Sequence, residues 1–187
     1  MTQALLDHKL LFVTGKGGVA KSTVAAALGL LASQHGKRTL VVEVDAKGNL
    51  SDFFEAGPTG YKPREVQPNL FAMTMNTEDS LQEYLRLQMR LPAVARIGPL
   101  ARAFEFVATA APGVREILTV GKPVWEVRGG HYDLVVVDAS ATGHIDRLRK
   151  SIKEQVPLLF VPYLFVRTHG LRTTRQVAEA LSAEISV

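Results

Sequence analysis

The chain of 187 residues has no cysteine. Disulfides, thiolate metal sites and cysteine nucleophiles are excluded by inventory, and a reducing cytoplasm is the compartment that fits. Long hydrophobic runs are also missing. The longest, "VPLLFVPYLFV" at 156–166, carries two prolines and falls well short of the roughly 20 residues that span a bilayer, so no transmembrane segment is expected. The opening "MTQALLDHKLLFVTG" has neither a basic leader region nor a small-residue cleavage site, and no export signal is expected. Charge of one sign is not dominant either. The net charge is +4, but Asp and Glu are interspersed among Lys and Arg, which reads as a solvated surface and not as a nucleic-acid patch.

What is present is an ordinary globular balance, 47% hydrophobic and 21% charged with Gly 15 and Pro 9. The length suits one domain, 1–187, that buries most of its apolar surface. Leu10 to Thr14 is an unbroken apolar run closed by Gly15, the pattern of a strand buried on both faces. "KSTVAAALGLLASQH", Lys21 to His35, is rich in Ala and Leu and meets Gly36 as a helix stop. "RTLVVEVD" reads as the second strand. Strand, glycine turn, helix, strand is a βαβ unit with parallel strands and a right-handed crossover. Further strands are expected at "NLFAMTM" (69–75) and "YDLVVVDAS" (132–140), both in the same sheet. Between them, residues 80–128 carry helical patterns and form a helical insertion whose Leu, Met and Phe stripe is taken as core. The fold class is therefore α/β, a mainly parallel central sheet flanked by helices plus a helical insertion.

The chemistry starts at "VTGKGGVAKST", Val13 to Thr23. A phosphate-binding loop wraps backbone N–H groups around the anion and points a helix N-terminus at it. The generic pattern is G-x-x-x-x-G-K followed by Ser or Thr, with the lysine on the β- and γ-phosphates and the hydroxyl on Mg²⁺. Gly15, Lys21 and Ser22 meet three of its four fixed positions; Ala20 stands where the second glycine belongs. At positive φ that alanine would cost about 1 kcal/mol relative to glycine, and at negative φ its methyl would be tolerated. Gly15, Lys16, Gly17, Gly18, Val19, Ala20, Lys21, Ser22 and Thr23 make up the expected nucleotide cradle, in a P-loop NTPase fold.

Lys16 is extra to the generic pattern, and "GKGGVAKST" resembles the deviant Walker A motif, GKGGxGK followed by Ser or Thr, of the MinD, ParA, ArsA and Get3 superfamily. That resemblance implies ATP as the nucleotide and a dimer, of two identical chains or of two related ATPase subunits, in which Lys16 reaches the partner's nucleotide. Asp138 ends "DLVVVD" and looks like a Walker B aspartate acting on Mg²⁺, directly or through water. Asp45 ends the second strand and matches the switch I aspartate that positions attacking water in these families. Glu43, two residues earlier, is left without a role. "DASATGH", 138–144, resembles switch II of the ArsA/Get3 branch through Asp138, Thr142, Gly143 and His144, and "PGVRE", 112–116, resembles the PGxxE that this branch places before the strand. Switch I is mixed: "DAKGN" has the glycine and asparagine of ParA, and "LSDFF" looks like ArsA.

The chain is thus identified as a member of the ArsA/Get3-like anion-transporting ATPases of actinobacterial type. The resemblance implies a cytoplasmic Mg²⁺-dependent ATPase in which Lys16, Lys21 and Asp45 are catalytic, and Ser22 and Asp138 hold the metal. It also implies a dimer whose nucleotide state controls a helical surface for a protein client or partner. Peripheral association with a membrane is compatible with that reading; nucleic acid is not expected. The cysteines by which ArsA holds arsenite and Get3 holds zinc do not occur here, so neither substrate nor metal carries over. In this family further helices and a strand follow switch II, whereas here only "DRLRKSIKEQ" separates His144 from the last apolar run. A segment is therefore expected to be missing near 146–156, and the asparagine that reads adenine is not identifiable. Two other functions stay open: a nucleotide-dependent scaffold that hydrolyses little because of Ala20 and the mixed switch I, and a ParA/MinD-type positioning ATPase.

Overall fold

Five strands form one sheet in the computed structural model, whose described residues are 5–15, 18, 20–44, 50–76, 78–83, 114–139 and 170–185. They are β1 (Leu10–Val13), β2 (Thr39–Val44), β3 (Arg64–Gln67), β4 (Leu70–Met75) and β5 (Leu134–Asp138), in the spatial order β1-β5-β2-β4-β3. β5 pairs with β1 and with β2, β2 pairs with β4, and all three pairings are parallel. The strands expected from the apolar runs are therefore in place, in one sheet, with β1 and β2 parallel across an intervening β5. β3 is the exception to the expectation. It is a short antiparallel edge strand turned back onto β4 at Pro68 and Asn69, where Asn69 takes φ 60.

Helix α1 (Lys21–Gln34) returns the chain from β1 to β2. Its end is a Schellman motif: Gly36 N–H bonds Ser33 O at 3.0 Å and Lys37 N–H bonds Ala32 O at 3.1 Å, with Gly36 at φ +79. The glycine stop read from sequence is thus one that satisfies two terminal carbonyls. Val24 through Ser33 are all buried, because α1 lies between the sheet and a helix at the other end of the chain, α3 (Leu171–Ile185). Small residues allow the close approach. A Cβ added to Gly29 would run into Val41 Cγ2, so helix and strand pack there without room for a methyl. α3 contributes Val177, Ala178 and Leu181 to this core, and its Thr174 hydroxyl donates to Phe53 O at 2.9 Å in the 3-10 turn Ser51–Phe54.

Period-two alternation divides the strands between two cores. Val41, Leu70, Ala72, Leu134 and Val136 face α1 and α3, whereas Leu40, Val42, Met73, Met75, Val135 and Val137 face the opposite side, together with Tyr61 and Tyr132. On that side runs α2 (Val114–Arg128), the last part of the expected insertion, and Val127 packs into the second core. Residues 78–83, at the start of the insertion, are also helical. A half-buried polar clasp joins the two pieces. Lys122 Nζ lies 3.1 Å from Glu83 and 2.8 Å from Glu126, and Tyr61 Oη donates to Glu83 at 2.6 Å. Desolvated by burial and lying beside Glu83, the Tyr61 hydroxyl is pushed well above its ordinary pKa. Residues 84–113 of the insertion and the switch-II-like 140–169, with His144 and the expected gap near 146–156, lie outside the described residues.

Candidate nucleotide site

The site occupies the C-terminal end of the parallel strands, where an open α/β sheet leaves room for ligands. β1 delivers Thr14 and Gly15, and α1 begins at Lys21. Lys16, Gly17, Val19 and Asp45, all expected to take part, lie outside the described residues. Gly18 takes φ +78 and is exposed, in open space on the Cβ side.

Ala20 takes the left-handed conformation, φ 60 and ψ 31, and offers no side-chain cap to the helix that follows. The strained alternative read from sequence is the one found. An L-residue held there costs about 1 kcal/mol relative to glycine. The conformation is kept because Ala20 must turn the loop into α1 while its carbonyl accepts the first intrahelical bond, from Val24 N–H at 3.0 Å. With no capping side chain at Ala20, the first N–H groups of α1 are directed to whatever sits in the loop.

Next to this helix start stands Asp138, last residue of β5 and only 6% exposed. Burial pushes its carboxyl above the ordinary carboxylate value, while a hydrogen bond from the Ser22 hydroxyl and the charge of Lys21 pull it back. Lys21 and Ser22 from the loop motif and Asp138 from a separate strand are thus brought together, Ser22 by a hydrogen bond and Lys21 by its charge. A hydroxyl and a carboxylate side by side are hard oxygen donors of the kind Mg²⁺ takes, so the residues present fit that ion. Thr14 Oγ1, at the strand–loop junction, is buried and has no hydrogen-bond partner among the described residues. Such an orphan costs about 1–3 kcal/mol.

Sequence reasoning passed over Glu43. It is 4% exposed near the end of β2, and register pairs it with Asp138 on one side and Thr74 of β4 on the other. In-register partners in a sheet share a face, and two residues upstream Val41, Val136 and Ala72 all belong to the core facing α1. Glu43, Asp138 and Thr74 therefore form one polar layer on the face that carries the loop helix. Thr74 Oγ1 donates to Glu43 Oε2 at 3.2 Å, and Thr59 and Thr74 hydroxyls are 2.8 Å apart. The available signal was a single acid in the apolar strand TLVVEV.

A loop of this build, a helix start with lysine and serine, and an acid ending the neighbouring strand define a P-loop NTPase fold of the α/β class. The family model described as Anion-transporting ATPase matches residues 8–157, and the chain belongs to that family. Among its relatives, ATPase BagA of Mycobacterium tuberculosis is 35% identical over 150 residues, covering 74% of this chain and 44% of that protein. ATPase GET3 of Phaeosphaeria nodorum is 32% identical over 149 residues, covering 76% of this chain and 45% of that protein. The chain spans under half the length of these curated relatives.

Proposed function

We propose that this chain is the nucleotide-binding part of a Mg²⁺-dependent ATPase. The observation that carries the reading is the junction of Lys21, Ser22 and Asp138 at the start of α1. Backbone N–H groups of the loop and helix start bind the phosphates, and Lys21 neutralises charge on the β- and γ-phosphates as it develops. Ser22 and Asp138 would hold Mg²⁺, which when bound would offset the negative charge of the phosphates. Asp45 orients the attacking water. Lys16 acts across a dimer of two such chains, or of this chain and a related subunit, and nucleotide state alters the helical surface of the 80–128 insertion, where a protein client or partner docks. The clasp of Tyr61, Glu83 and Lys122 supports that last step, since it fastens both flanks of the insertion to the loop after the 3-10 turn. The setting is cytoplasmic. No helix among the described residues is long and apolar enough to cross a membrane.

The test is a steady-state phosphate-release assay with ATP and Mg²⁺. Lys21→Ala is expected to lose at least about 100-fold in turnover, the scale of removing one preorganised charge from a phosphoryl-transfer site. Unchanged hydrolysis sinks the reading. One observation favours a second reading, a scaffold that binds nucleotide and turns over little: the left-handed Ala20. Slow phosphate release by the chain alone and with a partner subunit, at saturating nucleotide, is what that alternative expects.

A further inference from the structure

β2 reads TLVVEV, and five of its six residues are buried, Glu43 among them. A carboxylate is costly in such a strand, and a fold that only needed a sheet there would be served by valine. Three facts place this acid at the nucleotide site. Register sets it beside Asp138, on the adjacent parallel strand and at the same level. Alternation puts both on the face toward α1, whose first turn supplies Lys21 and Ser22. The Thr74 hydroxyl, itself paired with Thr59, donates to Oε2 and fixes the carboxylate's direction.

We propose that Glu43 is a positioning residue of the nucleotide site: one strand away from Asp138, its carboxylate orients the water shell of the Mg²⁺ that accompanies ATP, and the Thr74 and Thr59 hydroxyls aim it. The inference rests on the reading of this loop as a Mg²⁺–ATP site. Mg²⁺ gives up its waters reluctantly, so a site for it needs acceptors for bound water as well as direct ligands. Ser22 and Asp138 would hold the ion, Asp138 directly or through water, and Glu43 would accept from its bound water. Outer partners of this kind orient what the ligands hold, and their loss typically costs 10–100-fold in metal affinity. The same hydrogen bonds tie the layer to the segment at 59–60, because Thr74 N–H also bonds Gly60 O at 2.9 Å.

The experiment titrates the full chain with a fluorescent ATP analogue, once in EDTA and once in excess Mg²⁺. The readout is the ratio of the two affinities. In the unmodified chain Mg²⁺ tightens binding; Glu43→Gln lowers that ratio about tenfold through weaker binding in Mg²⁺. Glu43→Asp, which keeps the charge on a shorter stem, recovers part of it. An unchanged ratio in Glu43→Gln overturns the proposal, and a lower melting temperature with the ratio intact does the same by assigning Glu43 to the fold alone. Should the glutamine variant fail to fold, Thr74→Val carries the test: a lower ratio supports the proposal, an unchanged one overturns it. Failure of the underlying reading looks different. The unmodified chain would then bind no nucleotide, or Lys21→Ala would bind it equally well.

Discussion

The two ends of the sheet are built on the same strands and close in opposite ways. At the N-terminal end the polar groups satisfy one another. Asp133 accepts from Arg38 N–H at 2.8 Å and its own N–H returns to Arg38 O at 2.8 Å. The Arg38 guanidinium lies over Phe71 at 4.5 Å and Tyr132 at 5.7 Å, and Lys37 Nζ donates to Leu6 O at 2.6 Å. The C-terminal end instead keeps two buried acids in adjacent register positions, an orphaned hydroxyl at Thr14 and a helix start with no side-chain cap. Among the described residues, one end is finished by protein alone, and the other carries local costs that a bound anion and cation would offset.

Asp138→Asn should show the contrast most sharply. It is expected to lose about 100-fold or more in ATP turnover, measured by phosphate release, through loss of the metal-side carboxylate. The chain without nucleotide should nevertheless melt higher. Burial raises the Asp138 pKa in the folded state above its ordinary value of 3.8, so the folded chain binds that proton more tightly than the unfolded one. Its contribution to stability is full below the ordinary value and is lost as pH rises through the raised one. Thermal melts across that window should fall more with pH for the parent than for the asparagine variant.

Arg38→Ala, at the opposite end, should do the reverse: lower stability by about 1 kcal/mol through loss of its stacking on two rings, with nucleotide affinity unchanged. Denaturant melts and a nucleotide titration on the same sample check both halves. Ala20→Gly is the smallest change. Relief of the left-handed alanine should raise stability by up to about 1 kcal/mol. Phosphate release rises with it if strain in the loop limits turnover, and unchanged release removes the main support for the scaffold reading.

β1, β2, β4 and β5 were legible because each is an apolar run bounded by turn residues, and α1 because its Ala-Leu pattern ends at Gly36. The segment that becomes α3 was assigned no element, although its buried Val177, Ala178 and Leu181 recur at helical spacing. β3 was missed for a different reason. REVQ is four mostly polar residues at an edge, half of them exposed, and only the turn at Asn69 and pairing with β4 make them a strand.

The sequence by itself determined the loop, its lysine and serine, and Asp138 at the end of a buried strand, because glycine content, helix-start residues and apolar runs are local properties. Asp45 and Lys16 were likewise proposed from local motifs and lie outside the described residues. Tertiary structure alone decided that β5 sits between β1 and β2, and hence that Glu43 stands level with Asp138. It also decided the backbone of Ala20: an alanine's φ is set by the direction in which strand and helix must be joined, and no side-chain pattern encodes that direction.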